Sequence, residues 1–136
     1  HEFLGDNIDG KDAIIIDDMI SSGGSMIDTA KQLKKMNAKR VFICCTFGLF
    51  TDGLDAFDEA YEKCYFDRII TTNLCYQPPL LKEKPYYLEA DMSKFIASII
   101  DFMNHDASMA NIYTPTDKIH QILDKYNNRE VSCLDL

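Results

Sequence analysis

Three short runs of apolar, largely β-branched residues predict strands in the first half of the chain, at Ala13–Asp17, Arg40–Thr46 and Arg68–Thr72. Each run is nearly continuous in apolar residues instead of alternating with polar ones. That pattern is typical of parallel strands that are buried on both faces of a sheet. We therefore expect a parallel sheet that is covered on both sides.

Four apolar stripes with helical spacing lie between and after these strands. They comprise Met26, Ile27, Ala30 and Leu33; Leu54, Phe57, Ala60, Tyr61 and Cys64; Met92, Phe95, Ile96, Ile99, Ile100 and Met103; and Ile119, Ile122, Leu123 and Tyr126. The first helix is expected to end near Asn37 and the last to start after Pro115. We interpret all four stripes as helix faces that pack into the core. Prolines in the segment from Asn73 to Pro85 predict a loop there.

The alternation of strands and helices predicts an α/β fold, an open parallel sheet with flanking helices. A length of 136 residues suits one modest domain. We take that domain as residues 1–136, with a helical tail at 105–136. The first residue is His1 instead of Met, and we expect the chain to be a segment of a longer protein.

Composition and charge narrow the class of protein. A formal net charge of −8 argues against a nucleic-acid partner, because binding a phosphate backbone requires clustered Lys and Arg. No apolar stretch approaches the roughly 20 residues that a membrane span requires. The five cysteines, which lack zinc-ligand spacing, are Cys44, Cys45, Cys64, Cys75 and Cys133. We interpret them as reduced thiols in a cytoplasmic protein.

The stretch Asp17–Ser25 carries the most specific chemical signal, since it follows the first predicted strand and leads directly into a helix. In doubly wound sheets, ligands bind beyond the carboxyl ends of the strands. Gly23 and Gly24 allow a tight backbone path and leave the amides at the helix start open to a phosphate group. Short hydroxyl donors are added by Ser21, Ser22 and Ser25. The stretch therefore predicts a phosphate site.

Asp17 and Asp18 stand next to this turn, at what the pattern predicts to be the strand end. Adjacent carboxylates repel each other and are costly to bury without partners. Sugar hydroxyls or a Mg²⁺ ion would relieve that cost. Because successive side chains of an extended strand point to opposite sides, we expect one carboxylate to face the sugar and the other to brace the loop or bind a metal.

The loop resembles the phosphoribosyl pyrophosphate loop of the type I phosphoribosyltransferase fold, which phosphoribosyltransferases share with ribose-phosphate pyrophosphokinases. Neighbouring residues favour the pyrophosphokinases, and the resemblance extends from about Leu4 to about Asn104. It is carried outside the loop by Gly5-Asp6, Gly10-Lys11-Asp12, Asn37-Ala38-Lys39-Arg40-Val41, Thr46-Phe47-Gly48-Leu49-Phe50 and Ile70-Thr71-Thr72-Asn73.

This resemblance implies an ATP-dependent ribose-phosphate diphosphokinase, which transfers a pyrophosphoryl group from ATP to the C1 hydroxyl of ribose 5-phosphate with Mg²⁺. It also implies a homo-oligomer built from dimers, up to a hexamer. The family's 5-phosphate contacts map onto Ser21, Ser22, Gly23, Gly24 and Ser25. Its ribose-hydroxyl acid maps onto Asp17, with Asp18 adjacent, and both are candidate metal ligands.

The same resemblance places the family's ATP-binding residues, its metal-binding His and its flexible basic loop in the N-terminal half. We therefore expect this segment to be inactive alone. Ser21 stands where many relatives have Asp, and Phe47 where many have His. Two alternatives stay open: a phosphoribosyltransferase, which consumes phosphoribosyl pyrophosphate, and a non-catalytic regulatory subunit that associates with a synthetase.

Overall fold

The computed structural model describes residues 7–106 and 116–128, and the chain divides into two compact units between Met92 and Ser93. In the described part of the first unit the elements are β1 (Asp12–Ile20), α1 (Gly24–Lys35), β2 (Arg40–Gly48), α2 (Asp55–Glu62), β3 (Arg68–Thr72), α3 (Pro79–Lys82) and β4 (Tyr87–Ala90). The second unit contains α4 (Ser93–Asn104) and α5 (Thr116–Asn127). The second unit begins at Ser93, whereas the helical tail predicted from the sequence begins at residue 105.

All four strands are parallel and follow one another across the sheet in the order β1-β2-β3-β4. The prediction of an open parallel α/β sheet is therefore confirmed. β3 has the predicted bounds, whereas β1 extends to Ile20 and β2 to Gly48. These extensions matter for the candidate site, because they move Asp17 and Asp18 from the end of a strand into its interior.

The predicted strands do not include β4, and the whole segment from Asn73 to Pro85 is predicted to be a loop. That segment contains α3, one short helix that has Pro79 as its first residue. Proline is well tolerated there because the first helical N–H has no intrahelical partner in any case. β4 has only four residues, too few to produce a recognisable strand pattern.

The core lies between the helices of the first unit and one face of the sheet. Its buried members include Val41, Ile43 and Ile69 from the strands and Phe57 and Leu81 from the helices. The opposite face is open within this unit: Ile14 is 63% exposed and Ile16 is 80% exposed. The expectation of a sheet covered on both faces is thus wrong for this unit. Crossovers of one hand that step in one direction across a sheet place all their helices on the same face.

The apolar stripes of α1 and α2 belong to this core, as predicted, with Met26, Ala30, Phe57 and Ala60 buried. Cys64 lies beyond the end of α2 and is exposed. The stripes of the second unit contribute no buried residue in α4, and the stripe residues of α5 are each about half exposed. The prediction that these two stripes are core faces is therefore wrong.

None of the helices in the described ranges is long and apolar enough to cross a membrane. The described cysteines, which are Cys44, Cys45, Cys64 and Cys75, are free thiols, while Cys133 lies outside the described residues.

Tyr86 links the chain just ahead of β4 to α2. Its buried ring packs against Tyr61 and Phe66, with centroid distances of 5.1 and 5.4 Å. Its hydroxyl donates to Asp58 Oδ1 at 2.8 Å, and Lys84 Nζ donates to Asp58 Oδ2 at 2.6 Å. Burial, followed by the hydrogen bond to Asp58, raises the pKa of Tyr86, so the hydroxyl stays protonated and remains a donor.

Tyr86→Phe should lower the free energy of unfolding by about 1.5 kcal/mol, the lower end of the range for a hydrogen bond to a charged group. The lower end is expected because Asp58 keeps its ion pair with Lys84. Urea denaturation followed by circular dichroism measures the change. Tyr76→Phe is the matched control, since Tyr76 is 81% exposed and its substitution should leave the midpoint unchanged. Equal effects of the two substitutions would contradict the assigned role of the Tyr86 hydroxyl.

Candidate functional site

The turn between β1 and α1 presents unpaired backbone amides. Gly23 is the N-cap residue, immediately ahead of α1; it has φ +85° and no side chain to cap the helix. The first turn of the helix closes with Ile27 N donating to Gly23 O at 3.0 Å. The amides of residues 24–26 precede that bond, so they point out of the helix end with a partial positive charge. This arrangement suits an anion.

Gly23 is required by packing as well as by its backbone conformation. A Cβ atom at this position would lie 1.9 Å from Cζ of Phe57, far inside any real contact distance. Phe57 is completely buried in α2, and its ring meets that of Phe50 edge-to-face, with centroids 5.2 Å apart. The turn therefore rests directly on the aromatic part of the core.

The chain after β2 holds the turn from its other side. Leu49 N donates to Ile20 O at 2.8 Å, and Thr51 N donates to Ser21 O at 3.1 Å. The hydroxyls of Ser21 and Thr51 also lie 3.3 Å apart. Hydrogen bonding between the two segments thus continues past the ends of β1 and β2 and fixes the path of the chain into the turn.

The solvent side of the turn is open. Ser21, Ser22 and Ser25 are exposed, and a Cβ atom at Gly24 would meet no atom within 4 Å. Packing therefore does not require glycine at position 24. A ligand group can approach the amides there without meeting a side chain.

The structure corrects the predicted position of the two carboxylates. Asp17 and Asp18 are the sixth and seventh residues of the nine-residue strand β1, ahead of its end instead of at it. Register with the buried Cys45 places Asp17 on the face of Ile15, which packs against the core, and both carboxylates are exposed. The expectation that the two side chains point to opposite sides stays a prediction. Asp17 Oδ1 accepts a hydrogen bond from Asp18 N at 2.8 Å.

Cys45 is the register partner of Asp17 on β2. Burial raises the pKa of the Cys45 thiol to about 11, and the nearby carboxylate of Asp17 contributes in the same direction. The thiol therefore remains protonated at neutral pH and is a poor nucleophile.

A metal ion at this turn would need help from a ligand. Within residues 7–106 and 116–128, no three His, Cys, Asp or Glu side chains are grouped closely enough to hold a metal ion. Mg²⁺ commonly binds one or two carboxylates together with phosphate oxygens and water. One carboxylate of β1 and a phosphorylated ligand fit that requirement.

A cavity of about 600 Å³ lies elsewhere in this unit. It is lined by residues that include Arg40 and Arg68, which begin β2 and β3 at the edge of the sheet opposite to the turn. Arg40 pairs with Asp12, and Asp67 in the same lining pairs with Lys34. Arg68 donates to the carbonyl oxygen of Pro85. Three charged side chains of this lining are thus engaged within the fold, so we locate the candidate site at the turn.

Comparison with known proteins identifies the family to which the chain belongs. A family profile described as phosphoribosyl synthetase-associated domain matches residues 2–114. The chain belongs to this family. It is 31% identical to the ribose-phosphate pyrophosphokinase of Mycoplasmopsis pulmonis over 110 residues, which are 81% of this chain and 33% of that relative. It is 47% identical to the corresponding protein of Pyrococcus furiosus over 69 residues, 48% of this chain and 25% of that relative.

The fold of this phosphoribosyl synthetase-associated domain is similar to the crystal structure of phosphoribosylpyrophosphate synthetase from Mycobacterium smegmatis. The TM-score is 0.65 at 24% identity, over 76% of this chain and 33% of that one. This likeness confirms the fold. The chain spans a third or less of the length of the relatives that it matches.

Sequence reasoning identified the residues of the turn in this domain but not the residues that hold them. Phe57 is predicted only as part of a core stripe, Phe50 enters only through the family resemblance, and Thr51 has no predicted role. Their signal in the sequence is weak, because contacts between α2, the segment after β2 and the turn depend on tertiary structure. Phe47 lies in register with Met19, and both are partly exposed beside the turn.

In this domain, Gly23→Ala should lower the free energy of unfolding by about 3 kcal/mol, because the new methyl group overlaps Phe57 and favours negative φ. Thermal or urea denaturation measures the loss. Gly53→Ala is the matched control: Gly53 has a nearly identical φ of +83°, but its Cβ position is open. Only the backbone cost of about 1 kcal/mol should remain there. Equal losses at the two positions would mean that Phe57 does not constrain the turn.

Proposed function

We propose that this chain forms the sugar-phosphate-binding part of an ATP-dependent ribose-phosphate diphosphokinase. The observation that carries the proposal is the Gly23-Gly24 turn, which opens the amides of α1 to an anion directly after a strand that bears two carboxylates. Membership in the phosphoribosyl synthetase-associated domain family supports it. So does the similarity to proteins named ribose-phosphate pyrophosphokinase.

The 5-phosphate of ribose 5-phosphate binds at the start of α1. Backbone amides of residues 24–26 donate to its oxygens, and the helix dipole favours its negative charge. The exposed hydroxyls beside these amides, from Ser21, Ser22 and Ser25, supply further donors. No Lys or Arg is present between Asp17 and Ser25, so recognition of the phosphate by this turn relies on the backbone and hydroxyl groups.

The ribose hydroxyls bind the carboxylate of Asp17. This carboxylate lies beside the buried Cys45, on the face of β1 whose Ile15 packs against the core. Asp17 Oδ1 already accepts the amide of Asp18, which fixes the orientation of the side chain and leaves Oδ2 for the sugar. Asp18 is better placed to brace the strand or to bind a metal.

The reaction of the whole protein is transfer of a pyrophosphoryl group from ATP to the C1 hydroxyl of ribose 5-phosphate. Phosphoryl transfer of this kind depends on positioning and on neutralisation of charge. Mg²⁺, when bound, would supply part of that neutralisation, with Asp17 or Asp18 among its ligands. The residues described here position the acceptor sugar by its phosphate and hydroxyls.

The family resemblance assigns the ATP-binding and basic catalytic groups to an N-terminal half, so we propose that this chain is inactive alone. We further propose a cytoplasmic homo-oligomer, built from dimers and up to a hexamer, as the working form of the whole protein. In this proposal the whole protein binds neither nucleic acids nor membranes.

Calorimetric titration of ribose 5-phosphate with Mg²⁺ into the chain tests the proposed binding. Asp17→Asn should weaken binding about tenfold or more, because it removes the charge from an acceptor of ribose hydroxyls. Gly24→Ala should weaken binding while leaving the fold intact or slightly more stable, since Ala favours helix and its Cβ meets no atom within 4 Å.

Asp9→Asn is the control for the loss of one negative charge. Asp9 is exposed and precedes the first residue of β1, at the end of the strand away from the turn. This variant should bind as the unmodified chain does. Saturable binding that is indifferent to Asp17→Asn and Gly24→Ala would place the ligand elsewhere. An absence of binding to the folded chain would count against a complete sugar-phosphate site in this segment.

A further inference from the structure

Gln77 is a buried amide whose role lies outside the turn itself. It stands between β3 and α3 and is only 6% exposed. Its Nε2 atom donates to the carbonyl oxygen of Gly48 at 3.0 Å and lies 3.2 Å from Cys75 Sγ. The hydrogen bond therefore joins the segment after β3 to the last residue of β2.

The peptide group that Gln77 contacts is also bonded on its other side. Gly48 O accepts from Gln77, and the amide of the same peptide group, Leu49 N, donates to Ile20 O at 2.8 Å. Because a peptide group is planar, fixing its carbonyl also fixes the direction of its N–H. Ile20 is the last residue of β1, immediately ahead of the turn. Cys75 Sγ also donates to Gly48 O, at 3.6 Å, so Gln77 Nε2 is the closer of two donors that hold this carbonyl and, with it, the N–H that β2 presents to the end of β1.

Packing around Gly48 reinforces this geometry. A Cβ atom at Gly48 would lie 2.6 Å from the ring of Phe50 and 2.9 Å from Thr71. The peptide plane is therefore confined between Gln77, the ring of Phe50 and the strand. Phe50 in turn contacts Phe57, on which Gly23 rests.

The side-chain carbonyl oxygen of Gln77 makes no comparable contact. Gln77 Oε1 is buried, and it has no hydrogen-bond partner in the described part of the chain. A buried acceptor without a partner reduces stability, whereas an apolar side chain of similar length avoids that cost. Glutamine at this position is therefore better explained by the bond that its Nε2 makes than by a gain in stability.

We propose that Gln77 is a positioning residue for the sugar-phosphate site: by holding the Gly48–Leu49 peptide plane, it fixes the end of β1 and the turn that receives the phosphate. The consequence for the ligand rests on the proposed function. The effect on the turn does not, because it is a property of the free chain.

Gln77→Met separates positioning from stability. The substitution keeps the length of the side chain, removes the donor and removes the acceptor that lacks a partner. We expect a denaturation midpoint close to that of the unmodified chain. In amide hydrogen exchange followed by NMR, the protection factors of Leu49 and Thr51 should fall about tenfold, whereas those of Ile43 and Ile69 in the core strands stay constant. The affinity for ribose 5-phosphate should fall about fivefold to tenfold.

Gln32→Met is the matched control, because Gln32 is exposed in the last turn of α1, away from the site. It should change none of these quantities. A uniform loss of protection in Gln77→Met, together with a lower midpoint, would show a purely structural role and overturn the proposal. Unchanged protection at Leu49 and Thr51 would overturn it as well.

Gln77→Glu provides a second variant in case the methionine variant does not fold. A protonated carboxyl group can donate to Gly48 O, whereas an ionised one cannot. We expect protection at Leu49 and Thr51 to be retained at acidic pH and lost as the carboxyl group ionises, with no such change in the unmodified chain. Protection factors of Leu49 and Thr51 that do not change with pH in this variant would contradict the proposal. If protection at Leu49 and Thr51 is lost in the variant but the unmodified chain does not bind ribose 5-phosphate, the positioning role is supported and the proposed ligand is rejected.

Discussion

The contact between Gly23 and Phe57 is the constraint on which the candidate site depends. Because residue 23 has no Cβ, the ring of Phe57 packs directly beneath the backbone of the turn. The positive φ of Gly23 then starts α1 with its first amides directed away from the core. One buried aromatic side chain in α2 therefore determines where an anion can meet the start of α1.

The parallel pairing of β1 with β2 extends this constraint to the rest of the site. Its register places Asp17 on the helix-covered face, and its continuation through Leu49 and Thr51 holds Ser21 ahead of the turn. The Asp17 carboxylate and the amides of the turn are thus positioned by the carboxyl-terminal parts of β1 and β2 and by the start of α1. Rigid elements of this kind hold a ligand more accurately than a free loop does.

How far the sequence alone predicts this structure depends on how local each signal is. The Asp-Asp pair, the Gly-Gly turn and the helical stripe that follows are contiguous, so the site residues could be proposed from Asp17–Ser25 alone. β4 could not, because four residues give too short a pattern, and the open sheet face depends on the order of strands. The exposed stripes of α4 and α5 show that amphipathic spacing indicates a helix without indicating what its apolar face contacts. The roles of Phe57 and Gln77 arise from tertiary contacts.

A titration of the isotopically labelled chain with ribose 5-phosphate, followed by NMR of the backbone amides, tests the central claim most directly. If the 5-phosphate binds the start of α1, the largest shift changes fall on the amides of Gly24, Ser25 and Met26, and ribose without the phosphate leaves those amides largely unchanged. Changes centred on Arg40 and Arg68 at the opposite edge of the sheet would contradict the account. So would a folded chain whose turn amides do not respond at all.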